Sequence, residues 1–191
     1  MPISEILKLD SLSAAPRLLG CSLRRQLPQG EISLRIVETE AYHQSDPASH
    51  SYRGITPRTA PMYESGGRLY VYFTYGKHYC LNIVVGRKGV GEAVLIRAAE
   101  PLVGIEIMQA NRGISDIKNL TNGPGKLAQA LGIHDTHLSG RILNKSSILL
   151  EGPEVPVKQS DIVASPRIGI TAGTELPWRF YIKGNPYVSR I

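Results

Sequence analysis

The feature that most constrains this chain is residues 35–42, RIVETEAY, which place two glutamates inside a stretch patterned as a buried β-strand. Isoleucine, valine, threonine and tyrosine favour strands, and successive side chains of a strand alternate between its two faces. Glu38, Glu40 and Tyr42 therefore point to one face. The pattern predicts that the Glu40 carboxylate lies beside the ring of Tyr42.

A carboxylate next to an aromatic ring and partly removed from water has a raised pKa. Such a group can take a proton from a water molecule near neutral pH, which makes Glu40 a candidate general base. The alternative is an exposed edge strand with two solvated glutamates, because structural carboxylates are also perturbed. The residues alone leave both interpretations open.

Length and composition fit one globular unit, and we predict a single domain over residues 1–191. The 191 residues are 42% hydrophobic and 20% charged, which is enough apolar material for a core. Cys21 and Cys80 form no CxxC pattern, so they indicate neither a disulfide framework nor a zinc site and suit a reducing compartment. The N-terminus has no signal-peptide pattern, and no apolar run approaches the roughly 20 residues that span a bilayer. We therefore expect a cytoplasmic protein without membrane association.

The charge balance points toward a polyanionic partner. The chain has 22 Lys and Arg against 16 Asp and Glu, a formal net charge of +6, and a pI near 9.4. Many basic proteins bind no nucleic acid, so the charge supports this partner class without requiring it.

Two segments after the glutamate strand are candidates for binding. Residues 43–61 contain three prolines and one glycine, which predicts an irregular loop of the kind that is often functional. Residues 68–79, RLYVYFTYGKHY, predict a β-hairpin that turns at TYGK, with Tyr75 at the tip and Tyr72 on the strand before it. Ordinary cross-strand packing of these tyrosines is the open alternative.

The rest of the chain predicts more sheet and three short helices. An arginine in the apolar strand at residues 92–98, Arg97, needs an anionic partner and shares a face with Leu95. Asn122 precedes the last helix, either as its N-cap or at a phosphate-binding helix start, and the cap is favoured. Helices are predicted at residues 11–19, 101–111 and 127–131, and strands at 21–27, 31–42, 80–85, 147–150, 162–170 and 178–182.

The sequence lacks the motifs of several common enzyme chemistries. The chain has no Walker A, HExxH, GxSxG or paired CxxC pattern and no GxGxxG in the right context, which excludes nucleotide cofactors, zinc hydrolysis and serine hydrolysis. His134 and His137 could share a helical face, but no third metal ligand is near them. The remaining carboxylate, tyrosine, histidine and basic residues suit hydrolysis of a glycosidic bond to a flat, stackable group.

Five segments carry a resemblance to a known family: RIVETEAY at 35–42, TPR at 56–58, LYVYFTYGKHYCLN at 69–82, VLIRAAEP at 94–101 and NGPGKLAQAL at 122–131. Together and in this order, they resemble the alkyladenine (N-methylpurine, 3-methyladenine) DNA glycosylases, and the chain looks like a bacterial member. The resemblance implies a mixed α/β (α+β) single domain. Its curved, mostly antiparallel sheet would carry flanking helices and a protruding, DNA-inserting β-hairpin.

The resemblance also implies an activity. Members are monofunctional base-excision-repair enzymes that rotate a damaged purine out of double-stranded DNA and hydrolyse its N-glycosidic bond, leaving an abasic site. The lesion class would include 3-methyladenine, 7-methylguanine, hypoxanthine and ethenoadenine. No metal or other cofactor is expected, and the protein would act as a monomer on the prokaryotic nucleoid.

The matched motifs also imply roles for individual residues. Glu40 would be the general base, and Arg97 would help to hold the water that Glu40 deprotonates. Tyr75 would fill the gap that the flipped base leaves in the DNA stack. The base pocket would consist of Tyr42, His50, Tyr72, Asn82 and Leu95, and the candidates for DNA backbone contacts are Arg53, Arg58, Lys77 and Lys126.

Two departures from mammalian relatives bear on lesion range and DNA footprint. The loop between Tyr42 and His50 is one residue shorter, and Lys77 stands where those relatives have an apolar residue.

Two rival functions would also use some of these residues. A non-catalytic nucleic-acid-binding domain leaves Glu40 unexplained, and a hydrolase of free nucleosides leaves Tyr75 and the basic charge without a role.

Overall fold

A curled antiparallel sheet of eight strands organises residues 1–189, which are the residues that the computed structural model describes. Its main path runs β3-β4-β5-β2-β1-β6, while β8 pairs with both β2 and β7. The strands are β1 (Ser22–Leu27), β2 (Gly30–His43), β3 (Leu69–Thr74), β4 (His78–Val84), β5 (Glu92–Val103), β6 (Ile148–Glu151), β7 (Ile162–Ser165) and β8 (Arg179–Ile182).

Short helices cover the sheet and complete the core. Helix α2 packs on β2 and β5, and α4 packs on β4 and β5. The α-helices are α1 (Ile3–Ile6), α2 (Ser11–Arg17), α3 (Ile105–Arg112) and α4 (Pro124–Ala130), and single 3₁₀ turns lie at His50–Arg53, Ala60–Tyr63, Ile117–Asn119 and Gln159–Asp161. The predicted class, mixed α/β with an antiparallel sheet, is confirmed.

Strand β2 is central rather than an edge. It pairs with β5 along one side and with β1 and then β8 along the other. Both of its faces are covered: Val37 is fully buried, and the Thr39 hydroxyl donates to the Ala15 carbonyl of α2 at 2.9 Å. Glu38 and Glu40 are 0% exposed. The solvated edge strand is therefore ruled out.

The helix predicted at residues 101–111 begins only at Ile105 in the structure. Strand β5 continues to Val103, and Pro101 lies opposite Leu34 beside a register shift. Proline is tolerated at such an irregularity because a regular ladder hydrogen bond is not required there. Gly104, with φ 76°, then turns the chain into α3. The proline is thus a strand residue and not the first residue of a helix.

Helix α4 also differs from expectation, because it begins at Pro124 and not at Leu127. Gly123 is its N-cap residue, so the predicted cap by Asn122 is wrong. The Asn122 side chain instead accepts a hydrogen bond from Lys126 Nζ at 2.7 Å. Proline suits the first helical position, since its missing N–H would have no partner there.

The other segments follow the sequence with local changes. Helix α2 has Asp10 as its cap, and Gly20 follows it at φ 82°, whereas the short helix α1 was not expected. The irregular loop at residues 43–61 includes one 3₁₀ turn, His50–Arg53, and a second turn, Ala60–Tyr63, begins at its end. The predicted strand 162–170 ends at Ser165, because Pro166 cannot donate to the ladder. The loop that follows β7 becomes a wall of the candidate site.

Candidate active site

One pocket of ≈ 150 Å³ brings the predicted catalytic and base-contacting residues together with Tyr75. Strand pairing explains part of this convergence, because Asn82 lies opposite Leu95, and Leu95 lies opposite Glu40. Residues directly opposite in a sheet share a face. The lining includes Glu40, Tyr42, His50, Tyr72, Tyr75, Asn82, Leu95 and Arg97.

Glu40 forms the polar part of the pocket floor, the side of the pocket that β2 and β5 provide. Its Oε2 accepts from the Tyr42 hydroxyl at 2.9 Å, and its Oε1 accepts from the backbone N–H of Ile168 at 2.9 Å. Arg97 Nη1 lies 3.3 Å from the same Oε1. The carboxylate is thus fixed by donors on both oxygens while its residue lines the pocket.

A buried arginine supports the ring of Tyr42. The guanidinium of Arg167 lies 4.7 Å from the Tyr42 ring centroid and 5.1 Å from that of Trp178. It pairs with both carboxylate oxygens of Asp46, one of them from Nη2 at 3.0 Å, and donates to the Ala41 carbonyl at 3.0 Å. Burial, and then the charge of Glu40, raise the pKa of Tyr42 well above its usual range. Tyr42 therefore stays a hydroxyl donor.

His50 and two tyrosines form the opposite aromatic wall. The His50 ring meets the Tyr72 ring edge-on at 4.4 Å between centroids, and His50 Nδ1 is 2.9 Å from the Tyr70 hydroxyl. Desolvation by this packing, followed by the charge of Arg58, lowers the pKa of His50 to about 4. Burial raises the pKa of Tyr70 to about 12. The wall is therefore uncharged at neutral pH.

Asn82 lies on β4 and is buried, 3% exposed. Its amide Nδ2 donates to the backbone carbonyl of Tyr70 on β3 at 3.0 Å. This bond fixes the orientation of the amide against the pocket. The neighbouring Cys80 also lines the pocket, and burial raises the pKa of its thiol to about 11.

Tyr75 lies at the predicted hairpin turn between β3 and β4. It is 77% exposed and adopts φ 53°, an unusual backbone conformation for a residue other than glycine. Its hydroxyl donates to the Gly169 carbonyl at 2.9 Å. The tip thus reaches across the pocket mouth to the loop after β7.

The four candidates for DNA backbone contacts lie in different settings. Arg53 and Lys77 are exposed, on the His50–Arg53 turn and at the hairpin tip respectively. Arg58 is exposed and lies 5.5 Å from the Tyr72 ring centroid. Lys126, on α4, donates to the side-chain oxygens of Asn122 and Asn119.

Sequence reasoning missed three contributors to the site. Glu38 was recognised on the face of Glu40, but not as a partner of Arg97, which lies 3.2 Å from it. Tyr70 has the same strand parity as Tyr72, which was an available signal. Ile168 and its loop carried no signal, because the predicted strand extended through them.

Within residues 1–189 no group of three His, Cys, Asp or Glu side chains is placed to hold a metal ion. The same residues include no helix long and apolar enough to cross a membrane. His134 and His137 are exposed in the turn region after α4.

Comparison with known proteins identifies the class. The family model described as Methylpurine-DNA glycosylase (MPG) matches residues 5–186. The protein is a DNA glycosylase, a hydrolase that acts on N-glycosidic bonds in DNA repair. It belongs to the methylpurine-DNA glycosylase family.

Full-length relatives agree with this assignment. A protein of Carboxydothermus hydrogenoformans is 50% identical over 181 residues, covering 95% of this chain and 94% of the relative. One of Methanoculleus marisnigri is 48% identical, covering 95% and 94%. One of Francisella tularensis is 47% identical, covering 98% of both chains. Their names provisionally assign them as 3-methyladenine DNA glycosylases.

Proposed function

We propose that the pocket receives a damaged purine rotated out of double-stranded DNA and that Glu40 activates the water that replaces it on the sugar. The observation that carries the proposal is the setting of Glu40. Its carboxylate is buried, oriented by the Tyr42 hydroxyl, the Ile168 N–H and Arg97, and lies beside aromatic rings in one pocket. A general base needs this combination of fixed geometry and access to the reacting centre.

In the proposed reaction, a water molecule next to Glu40 attacks C1′ of the deoxyribose. Glu40 takes one proton of the water, and the bond between C1′ and the purine nitrogen breaks with its electron pair going to the base. Arg97 lies 3.3 Å from Glu40 and 3.5 Å from the Ile168 carbonyl, where it would help to orient the water. The products are a free base and an abasic site.

Base recognition would depend on the aromatic walls. Tyr42 on one side and Tyr72 with His50 on the other would enclose the flat purine, and Asn82 and Leu95 would contact its edge. Methylated purines such as 3-methyladenine and 7-methylguanine are cations, which are attracted to the electron-rich faces of such rings. The neutral lesions hypoxanthine and ethenoadenine would gain from stacking and fit alone.

The DNA-facing surface would supply the remaining binding energy. Extrusion of a base costs a few kcal/mol of stacking, least where damage has weakened pairing. Tyr75 would offset this cost by filling the gap, while Arg53, Arg58, Lys77 and Lys126 would contact phosphates. We propose a monomer acting on damaged double-stranded DNA in the cytoplasm, with no cofactor.

The test is excision from defined DNA. Duplexes carrying one 7-methylguanine, hypoxanthine or ethenoadenine are incubated with the protein, treated with alkali and examined for strand scission, while methylated DNA reports release of free 3-methyladenine. We expect scission at the lesion and no cleavage of free inosine. Cleavage of free inosine at a comparable rate would indicate a nucleoside hydrolase, and binding without excision would contradict the catalytic role of the pocket.

A further inference from the structure

The side chain of Arg97 lies between two buried carboxylates. Its Nη1 is 3.3 Å from Glu40 Oε1, and its Nε is 3.2 Å from Glu38 Oε1; both glutamate side chains are 0% exposed, and that of Arg97 is 10% exposed. Glu40 lines the pocket, and Glu38 lies behind it. The arginine therefore links a carboxylate that reaches the substrate cavity to one that is enclosed by protein.

An irregularity in the sheet creates this arrangement. The pairing of β2 with β5 passes from Glu38 opposite Ala98 directly to Thr39 opposite Ile96, so Arg97 falls at a register shift. Bulges re-aim side chains and are common next to active sites. Here the shift lets one guanidinium reach two glutamates of the neighbouring strand.

The far end of the arrangement is held by β8 and by the C-terminal segment. Glu38 Oε1 accepts from Arg179 Nε at 2.6 Å and from the Ser189 hydroxyl at 2.9 Å, and its Oε2 accepts from the Ser189 backbone N–H at 2.7 Å. Arg97 Nε also lies 3.2 Å from the Ser189 hydroxyl oxygen. Ser189 thus contacts both members of the Glu38–Arg97 pair.

We propose that Glu38, assisted by Ser189, is a positioning residue that sets where Arg97 meets Glu40. The proposal rests on the roles proposed above for Glu40 and Arg97. With Arg97 Nε hydrogen-bonded to Ser189 and ion-paired with Glu38, Nη1 has a fixed direction toward Glu40 and the Ile168 carbonyl. Without Glu38, the Nε side of the Arg97 guanidinium would lose its ion-pair partner and would turn toward Glu40. The guanidinium would then occupy the place of the attacking water.

The balance of buried charges supports a positioning role for Glu38. Two carboxylates, Glu38 and Glu40, face two guanidiniums, Arg97 and Arg179, in a buried region where an unpaired charge is costly. Glu38 shares its charge between both arginines. Glu40 therefore does not have to neutralise Arg97 alone and keeps one oxygen, Oε2, bonded to the neutral Tyr42 hydroxyl.

The test is a double-mutant cycle on single-turnover release of 3-methyladenine from methylated duplex DNA. Glu38→Gln should slow excision by about 10- to 100-fold, the range expected when a reacting group is displaced by about 1 Å, with little change in Kd for lesion DNA. In an Arg97→Gln background, the same change should have almost no further effect, because contacting residues that act together are non-additive.

Two further variants separate positioning from stability. Glu92→Gln alters another buried carboxylate, which accepts from the Ser11 N–H at 2.7 Å and lies outside the pocket lining; it should leave the excision rate unchanged. Ser189→Ala removes the shared hydroxyl but keeps the backbone bond and the Glu38–Arg179 pair. It should slow excision by a smaller factor, and it carries the test if Glu38→Gln does not fold.

The outcomes are distinct. Independent, multiplicative effects of Glu38→Gln and Arg97→Gln, or a Ser189→Ala variant with the wild-type rate, would overturn the positioning role. A loss that Glu92→Gln reproduces at equal loss of Tm would assign Glu38 to stability alone. If Glu40→Gln and Arg97→Gln excise normally, the proposed catalytic roles fail first, whatever Glu38 does.

Discussion

The pocket floor and the hairpin tip differ in how firmly the fold holds them. The floor belongs to β2 and β5 at the centre of the sheet, where Glu40 is 0% exposed and bonded on both oxygens. The tip belongs to β3 and β4. Strand β4 pairs with β5 at residues 82–84 and with β3 at residues 78–83. Among the described residues, those of β4 nearer the tip therefore pair with β3 alone.

The difference fits the two tasks proposed above for these regions. Proton transfer needs atoms held within a fraction of an ångström, and a central strand with buried partners provides that order. Contact with DNA needs an accessible surface that can adapt to a distorted duplex, and the hairpin tip is exposed, with Tyr75 at 77%. Changes at the floor should therefore act on the rate of excision, and changes at the tip should act on how DNA is held.

The largest expected effect is at the floor. Glu40→Gln keeps the shape of the side chain but removes the proton acceptor, so excision should fall by roughly 10²- to 10⁴-fold. Binding to lesion DNA should be preserved. Single-turnover release of 3-methyladenine, with Kd measured in parallel, checks both expectations. A Gln variant that excises at the wild-type rate would remove Glu40 as the base.

The next effect concerns the charged surface around the tip. If four cations contact phosphates, duplex affinity should fall by about 10²-fold between about 50 and 200 mM salt, since each contact contributes about −0.9 to the log–log slope. Replacing Arg53 or Lys77 by Gln should reduce the slope by about one, and Lys158→Gln, at an exposed residue outside the pocket lining, should not. Fluorescence anisotropy gives these slopes. A flat salt dependence would contradict a DNA contact through these residues.

Asn82 lies between the two regions and should control selection against guanine, which differs from hypoxanthine by one amino group. Its amide donates to the Tyr70 carbonyl at 3.0 Å, so moving it aside for that group would cost a hydrogen bond. A clash or an unpaired donor costs about 1 to 3 kcal/mol. Asn82→Ser should therefore relax discrimination by roughly one to two decades, because 1.4 kcal/mol is a factor of ten.

The measurement for Asn82 is single-turnover excision of guanine opposite thymine beside hypoxanthine opposite thymine. The Ser variant should release guanine slowly and keep most of its hypoxanthine activity. An unchanged ratio in a folded variant would place the selectivity in another residue of the pocket.

Tyr75→Ala should weaken binding and slow excision from duplex by about tenfold, since one aromatic stacking contact contributes about 1–3 kcal/mol. The effect on single-stranded DNA should be smaller, because no gap in a double helix has to be filled. Parallel assays on both substrates compare the two losses. Equal losses would assign Tyr75 to packing of the hairpin.

The smallest effect is the pH response of His50. Since its pKa is lowered to about 4, the ring should stay neutral from pH 8 to pH 5.5 and become charged as pH falls through 4. Arg58→Ala removes a nearby positive charge and should raise this pKa toward the usual value near 6.5. NMR titration of the His50 imidazole measures this pKa in the wild type and in the Arg58→Ala variant. A His50 that titrates near 6.5 in the wild type would contradict the packing of this wall.

The sequence was most informative where alternation and local patterning agree. RIVETEAY predicted a strand with Glu40 and Tyr42 on one face, and the 2.9 Å bond between their side chains bears out that placement. The turn at TYGK was predicted for the same reason. Hairpins and strand faces depend on neighbouring residues, so a single sequence contains most of the information.

Long-range contacts were less predictable. The Ile168 N–H reaches Glu40 across 128 positions, and Arg179 reaches Glu38 across 141. No periodicity reports such pairs, and the apolar run at residues 162–170 favoured a strand that Pro166 ends early. Similarly, Pro101 is typical of a helix start, but pairing with β2 keeps it in a strand.

The contact between Tyr75 and Gly169 makes two states of the pocket mouth mutually exclusive. The tyrosine cannot donate to the Gly169 carbonyl and, in its proposed role, stand inside a DNA stack at the same time. Gly169 directly follows Ile168, whose N–H orients Glu40. Departure of the tip toward DNA would therefore open the pocket mouth and free the loop that follows β7 from its contact with Tyr75, so that, in the proposed mechanism, access to Glu40 would be coupled to engagement of a double helix.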